Sequence, residues 1–202
     1  MNNKSKTKIY FLPILCIAFL TAIDQLTKHI VETKFQLFET KPIIKDVFNF
    51  TYIRNEGMAW GMLEGQRILF LIVTVIIMIG CGYIYIRSLK FEQFKSIRGA
   101  IVILLSGAIG NLIDRFSNGY VIDFFDFRLI NFPIFNVADI YVVVSMLIIG
   151  LLIIFKYDNE EIELLFNANK INVKSASDAS NYQELNSSKH NISDASKEDE
   201  TN

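Results

Sequence analysis

The sequence contains few of the residues that build disulfides, metal centres and tight turns. Among 202 residues there are two cysteines, two histidines and three prolines. Two histidines are too few for a histidine-based metal site. Cys16 and Cys81 both lie inside apolar runs, where a free thiol is an ordinary packing residue. The formal net charge is −1, so nothing in the composition suggests nucleic-acid binding.

Long hydrophobic runs are what the chain does have. Hydrophobic residues make up 51% of the sequence, and the mean hydropathy is +0.33. The clearest run, residues 68–86 (ILFLIVTVIIMIGCGYIYI), carries no charge, and ~20 such residues cross a bilayer. Shorter runs occupy residues 9–23, 99–113 and 140–155. The sequence therefore predicts an all-α membrane protein with four transmembrane helices.

The distribution of basic residues predicts how these helices are oriented. Lysines at positions 4, 6 and 8 precede the first span, and four basic residues fill the link between the second and third: Arg87, Lys90, Lys95 and Arg98. The positive-inside rule places both segments, and hence both termini, in the cytoplasm. A signal peptide is the alternative interpretation of the N-terminus. Leu15 stands before Cys16 where cleavage needs a small residue, so we expect a retained span.

The segments between the spans differ in character. Residues 24–67 and 114–139 are expected outside, and the alternating FNFTYI at 48–53 predicts a strand in a small extracytoplasmic β-rich element. Gly57, Gly61 and Gly65 favour turns, and Trp60 is typical of a membrane interface.

The C-terminal tail has a different composition from the rest of the chain. From Lys156 onward it holds five lysines and ten acidic residues, a composition that favours disorder. We expect a membrane domain over residues 1–157 and a polar cytoplasmic tail over 158–202, with a short amphipathic helix around 160–166 as an alternative within it.

Three aspartates border the apolar runs on one side of the predicted membrane. Asp24 ends the first run, Asp114 ends the third, and Asp139 precedes the fourth. Acids at such depth are costly, so a functional role is the default hypothesis. The simpler interpretation, that each acid only marks where a helix leaves the lipid, weakens when three acids converge on one side.

Five polar stretches flank the spans. They are DQLTK (24–28), NEGMAWG (55–61), GAIGNLIDR (107–115), GYVIDFFDF (119–127) and FNVAD (135–139). In this order, over roughly residues 9–155, they resemble lipoprotein signal peptidase, also called signal peptidase II. That resemblance implies an aspartic endopeptidase of the bacterial cytoplasmic membrane, with its active site facing outward. Such an enzyme removes the signal peptide just before the diacylglyceryl-modified cysteine of prolipoproteins.

The resemblance also implies which residues form the site. Asp123 and Asp139 match the two catalytic aspartates. The matched supporting or substrate-binding positions are Asp24, Lys28, Asn55, Gly107, Asn111, Arg115 and Asn136. No metal or other cofactor is implied. The implied partners are prolipoproteins, membrane lipids and an inhibitor of the globomycin type, with no nucleic acid.

Two neighbouring carboxylates can hydrolyse a peptide bond without further groups. They cannot both ionise comfortably and therefore share a proton. The ionised carboxylate takes a proton from the attacking water, while the protonated one donates to the scissile carbonyl. The pair titrates as a unit, so neither acid has a fixed role.

Several alternatives remain open from the sequence. Asp126 could replace Asp123 in the pair, although a structural role is favoured. Asp114 is expected to form a local ion pair with Arg115 or to act as a structural anchor rather than as a catalyst, and Lys28 to meet either Asp24 or lipid head groups. A proton-coupled transporter or a non-catalytic scaffold are the rival functions. A relay would need acids at several depths, whereas a scaffold would tolerate loss of both Asp123 and Asp139.

Overall fold

The computed structural model describes residues 3–57 and 67–167. Trp60, Gly61, Gly65 and the tail from residue 168 onward lie outside this range, so the predictions made for them stay predictions.

Five helices account for most of the described chain. They are α1 (Asn3–Lys34), α2 (Arg67–Ser88), α3 (Lys95–Ser117), α4 (Val137–Phe155) and α5 (Asn159–Phe166). Four segments are long and apolar enough to cross a membrane: Phe11–Lys34, Ile68–Ser88, Glu92–Ser117 and Val137–Phe155. The predicted four-span helical membrane protein is confirmed. Cys16 and Cys81 are free thiols.

Helix α3 occupies the centre of the four spans and packs against α1, α2 and α4. Two glycines permit its close approach to its neighbours. A Cβ atom on Gly107 would collide with the backbone oxygen of Ala138, and one on Gly110 would lie 2.5 Å from the Asp24 carboxylate. Because these obstacles belong to other helices, larger residues here would push the helices apart.

Helix α1 does not end where the first apolar run ends. The simpler interpretation of Asp24, that it marks where the first helix leaves the lipid, is not what the structure has, since Asp24 is buried within a helix that continues to Lys34. Asp24, Lys28 and Val31 follow at helical spacing and are all buried. The apolar run stopped at the first charge, but that charge is neutralised inside the protein by the next turn of the same helix.

A three-stranded antiparallel sheet lies beyond the ends of the spans. Its strands are β1 (Thr40–Ile44), β2 (Phe48–Asn55) and β3 (Val121–Phe127), in the order β1-β2-β3. The predicted strand at 48–53 is confirmed and runs two residues further. Four buried residues, Val31, Tyr52, Ile122 and Phe124, form the core that joins the sheet to α1.

The chain returns beside β3 before α4 begins. After the 3₁₀ turn Arg128–Ile130, Phe135 donates to the Phe125 carbonyl at 3.1 Å and accepts from the Phe125 N–H at 2.8 Å. Asn136 follows as the N-cap of α4. This return brings the first turn of α4 next to Asp123, two residues before Phe125 on β3.

The described residues divide between two units, with the boundary between Lys156 and Tyr157. In the second, helix α5 occupies the place where the sequence suggested a short helix. It begins with a capping box, in which Asp158 accepts from the Glu161 N–H at 2.7 Å.

Candidate active site

Asn136 holds both predicted catalytic aspartates. Its side-chain NH₂ group donates to Asp123 Oδ1 at 2.6 Å, and its backbone N–H donates to Asp139 Oδ2 at 3.0 Å. Asn136 is fully buried. One residue therefore orients two carboxylates that are 16 positions apart in sequence.

The start of α4 fixes the carboxylate of Asp139. Asn136 and Asp139 form a capping box, because the Asp139 N–H also donates to Asn136 Oδ1 at 3.0 Å. The other oxygen of Asp139 accepts from Asn111 Nδ2 at 2.8 Å. With a donor on each oxygen, the plane of the Asp139 carboxylate is set.

The Asp123 carboxylate is held from the sheet side. Asn55, at the end of β2, donates to Asp123 Oδ2 at 2.8 Å. The Gly57 N–H donates to Asn55 Oδ1 at 3.0 Å, so the NH₂ group of Asn55 must face Asp123. Asp123 itself is 1% exposed.

The environment of Asp123 favours its protonated form. Burial raises the pKa of Asp123, the negative charge of Asp139 raises it further, and together they bring it to about 7. Hydrogen bonds from Asn55 and Asn136 and the charge of Lys28 act in the opposite direction. The pair can therefore hold one proton near neutral pH, as acid–base chemistry by two carboxylates requires.

This pKa predicts the pH dependence of the reaction. We expect kcat/KM for peptide hydrolysis to fall as pH rises through about 7, because the carboxylate pair then loses the shared proton that must be donated. The measurement is kcat/KM against pH from about 5 to about 9 in detergent micelles. Activity that stays constant over the alkaline half of that range would contradict the shared proton.

A buried ionic cluster lies beside the pair. Lys28 Nζ is 2.8 Å from Asp24 Oδ2, 2.9 Å from Asp114 Oδ2 and 3.0 Å from Asn111 Oδ1. Asp24 Oδ1 accepts from the Ala138 N–H at 2.9 Å, at the start of α4. Because α1, α3 and α4 all contribute to this cluster, it fixes their relative positions where the carboxylates sit.

The cluster settles the alternatives that the sequence left open for Lys28 and for Asp114. Lys28 pairs with Asp24 and, at 1% exposed, cannot reach lipid head groups. Of the two alternatives for Asp114, the structural anchor is the one observed: Asp114 pairs with Lys28 and forms no ion pair with Arg115. Adjacent residues on a helix point about 100° apart, so Asp114 faces α1 while Arg115 faces away.

Arg115 and both aspartates border one cavity of about 580 Å³. The Arg115 guanidinium lies 4.9 Å from the ring centre of Phe70 and 3.5 Å from the Gly57 carbonyl oxygen. The rest of the wall is largely apolar: Phe132, Pro133, Ile134, Phe135, Ile140, Val143 and Val144. A cavity with two carboxylates and a largely apolar wall suits a peptide bond within a hydrophobic substrate.

Asp126 lies outside this cavity. Its Oδ2 accepts from Thr51 Oγ1 at 2.6 Å and from Arg128 Nε at 3.1 Å, within the sheet. Burial raises its pKa, but hydrogen bonds from Thr51, Arg128 and Asn49 outweigh burial and leave the pKa below its ordinary value. The geometry thus favours the structural role over membership of the pair.

Two residues that support the site were missed by the sequence analysis. Gln25 Nε2 donates to Asp114 Oδ1 at 2.9 Å and to the Gly110 carbonyl at 3.1 Å, which ties α1 to α3. Gly110 leaves room for Asp24. Gln25 lies in the polar stretch 24–28 and Gly110 in the stretch 107–115, and this location was the sequence feature that could have indicated their role. Within residues 3–57 and 67–167, no group of three or more His, Cys, Asp or Glu could hold a metal ion.

Four helices long enough to span a membrane, with two carboxylates at one cavity, are the arrangement expected of a membrane hydrolase of the aspartic type. Comparisons with known proteins agree. The family model described as "Signal peptidase (SPase) II" matches residues 16–155. The chain therefore belongs to the signal peptidase II family.

Curated relatives and a solved structure carry the same likeness. The chain is 40% identical to the lipoprotein signal peptidase of Caldanaerobacter subterraneus subsp. tengcongensis over 145 residues, 71% of this chain and 96% of that one. It is 38% identical to the lipoprotein signal peptidase of Enterococcus faecalis, over 75% of this chain and 89% of that one. A bacterial membrane enzyme solved by the in meso method is 35% identical, with a TM-score of 0.65 over 73% of this chain and 96% of its own.

Proposed function

We propose that this protein removes signal peptides from diacylglyceryl-modified prolipoproteins, with Asp123 and Asp139 as its catalytic residues. The observation that carries this proposal is that Asn136 donates a hydrogen bond to each carboxylate and that both carboxylates border a cavity with a largely apolar wall. Membership of the signal peptidase II family supports it.

The proposed mechanism follows from the proton that the pair shares. The ionised carboxylate removes a proton from water, and the water oxygen attacks the scissile carbonyl. The protonated carboxylate donates to the carbonyl oxygen, which gives a neutral tetrahedral intermediate. The intermediate collapses as the carboxylate that took the proton from water gives it to the leaving amine, while the other carboxylate takes a proton from a hydroxyl group of the intermediate. Asn55 and Asn111 orient the carboxylates without adding charge.

Arg115 is suited to hold substrate rather than to react. Its guanidinium lies on the cavity wall over the ring of Phe70, and its donors match peptide carbonyl oxygens. We propose that it positions the backbone of the signal peptide across the carboxylates.

The apolar wall suggests how a lipid-bearing substrate enters. Ile140, Val143 and Val144 lie on successive turns of α4 and border the cavity together with Phe132. Acyl chains of the diacylglyceryl group can follow this wall from the bilayer to the cleavage site. The same wall and the carboxylates would accommodate a cyclic peptide of the globomycin type.

We further propose that both termini are cytoplasmic and that the carboxylates face outward. Arg87, Lys90, Lys95 and Arg98 cluster where α2 passes into α3. Asp114 and Arg115 lie at the opposite end of α3. With the basic link inside, the site and the sheet lie on the outer side of a bacterial cytoplasmic membrane.

The test is cleavage of a purified prolipoprotein, prepared with and without diacylglyceryl modification. We expect a cut directly before the lipidated cysteine, located by mass spectrometry. The unmodified precursor should react at least about tenfold more slowly, because it lacks the lipid part of the binding energy.

Lipid dependence and peptidase activity can fail separately in this experiment. Equal rates on both precursors would show that the lipid is not recognised, although the peptidase assignment would stand. An inactive wild-type protein that is folded by its thermal melting curve would overturn the assignment and favour the transporter or scaffold functions.

A further inference from the structure

Lys28 is almost fully buried, and its ammonium group is saturated by the protein. It has three N–H donors and three acceptors within 3.0 Å, on Asp24, Asp114 and Asn111. Two of these acceptors are carboxylates that neutralise its charge. The third is the neutral amide oxygen of Asn111, and this contact links the ionic cluster to the catalytic pair.

The contacts of Asn111 depend on the orientation of its amide. Its Oδ1 accepts from Lys28 Nζ at 3.0 Å and from Asn136 Nδ2 at 3.1 Å, while its Nδ2 donates to Asp139 Oδ1 at 2.8 Å. The reverse orientation would set an NH₂ group against two other donors and an oxygen against a carboxylate. Because an ammonium group only donates hydrogen bonds, Lys28 is compatible only with the amide orientation that points Oδ1 of Asn111 toward it.

The other two asparagines of the site are oriented by the backbone. Asn55 Oδ1 accepts from the Gly57 N–H, and Asn136 Oδ1 accepts from the Asp139 N–H. The Oδ1 of Asn111 is held instead by two side chains, of which Lys28 carries the charge. Among the three asparagines, Asn111 is thus the one whose amide orientation depends on a buried charge, that of Lys28.

We propose that Lys28 is a positioning residue for Asp139, acting through Asn111. By fixing the Asn111 carbonyl toward itself, it aims the NH₂ group of Asn111 at Asp139 Oδ1. Asp139 then keeps its orientation toward Asp123 throughout the reaction. This inference rests on the proposed function, because it assigns Lys28 a part in that same reaction.

The test is a double-mutant cycle on cleavage of the diacylglyceryl-modified precursor. Lys28→Met alone would leave two buried carboxylates without a counter-ion. The working variant therefore combines Lys28→Met with Asp114→Asn, which keeps the formal charge of the Lys28, Asp24 and Asp114 cluster at −1. Asn111→Ala supplies the second arm of the cycle.

We expect the Lys28 variant to lower kcat about 10²-fold in the wild-type background, as for a misplaced catalytic group. KM should stay within about twofold, because the substrate-binding wall is untouched. In the Asn111→Ala background the same change should cost less than about twofold, since residues that act through one another are not additive. Losses that add in full would overturn the inference.

Two further variants separate positioning from support of the fold. Asn111→Asp keeps acceptors for Lys28 and Asn136 but sets a carboxylate oxygen against Asp139 in place of the donor, so a folded protein with kcat lowered at least about tenfold is expected. Thr21→Val removes a hydrogen bond from the same two helices, to the Ser106 carbonyl. It should change the melting temperature and leave kcat unchanged. Full activity in Asn111→Asp would overturn the inference.

Failure of this inference is distinguishable from failure of the proposed function. If the wild type cleaves and Asp123→Asn does not, but the cycle is additive, only the role of Lys28 is wrong. A folded wild type that cleaves no precursor overturns both.

Discussion

Replacing Asp123 or Asp139 with asparagine is expected to lower the rate of signal-peptide cleavage by at least about 10³-fold. Asparagine has the size of aspartate but can neither take a proton from water nor deliver one to the scissile carbonyl. Each variant therefore leaves one carboxylate with no partner to share a proton. The measurement is single-turnover cleavage of the diacylglyceryl-modified precursor.

The matched control for both variants is Asp126→Asn. Asp126 lies on the same strand as Asp123, three positions further, and its carboxylate is bound by Thr51 and Arg128 instead of facing the cavity. We expect a lowered melting temperature and near-normal activity. Near-normal activity in Asp123→Asn, or loss of activity in Asp126→Asn alone, would show that the pair is assigned to the wrong residues.

Gly107→Ala is expected to lower kcat about 10²-fold and to destabilise the protein by about 1–3 kcal/mol. The added Cβ would collide with the Ala138 backbone oxygen and lie 2.9 Å from Val142 Cγ2. A backbone oxygen cannot rotate away, so α4 must shift relative to α3. Ala138 directly precedes Asp139, and the carboxylate moves with it. Activity and thermal melting of the purified variant measure the two effects.

Gly99→Ala provides the comparison on the same helix. A Cβ on Gly99 meets nothing within 4 Å, and alanine favours a helix over glycine by about 1 kcal/mol. We therefore expect unchanged activity and equal or slightly higher stability. If both alanine variants behave alike, close packing of α3 on α4 does not control the carboxylate pair.

The sequence by itself determined the features that depend on local composition. Apolar runs show where the chain can enter a bilayer, and alternation at 48–53 shows a strand, because both patterns arise from neighbouring residues on one face. The order of the five polar stretches gave the family. The capping box of Asn136 and Asp139 is also local, since its members are three positions apart.

Tertiary structure alone decided how these local features meet. Helix α1 passes Asp24 without ending because Lys28 neutralises that charge and the Ala138 N–H, from another helix, donates to the same carboxylate. Asp123 reaches Asn136 because Phe135 pairs with Phe125. The partner of Asp114, the orientation of the Asn111 amide and the pKa of Asp123 all depend on groups far away in sequence. A charge or an amide acquires its role from the surrounding donors and acceptors, and only the packed helices and sheet bring those together.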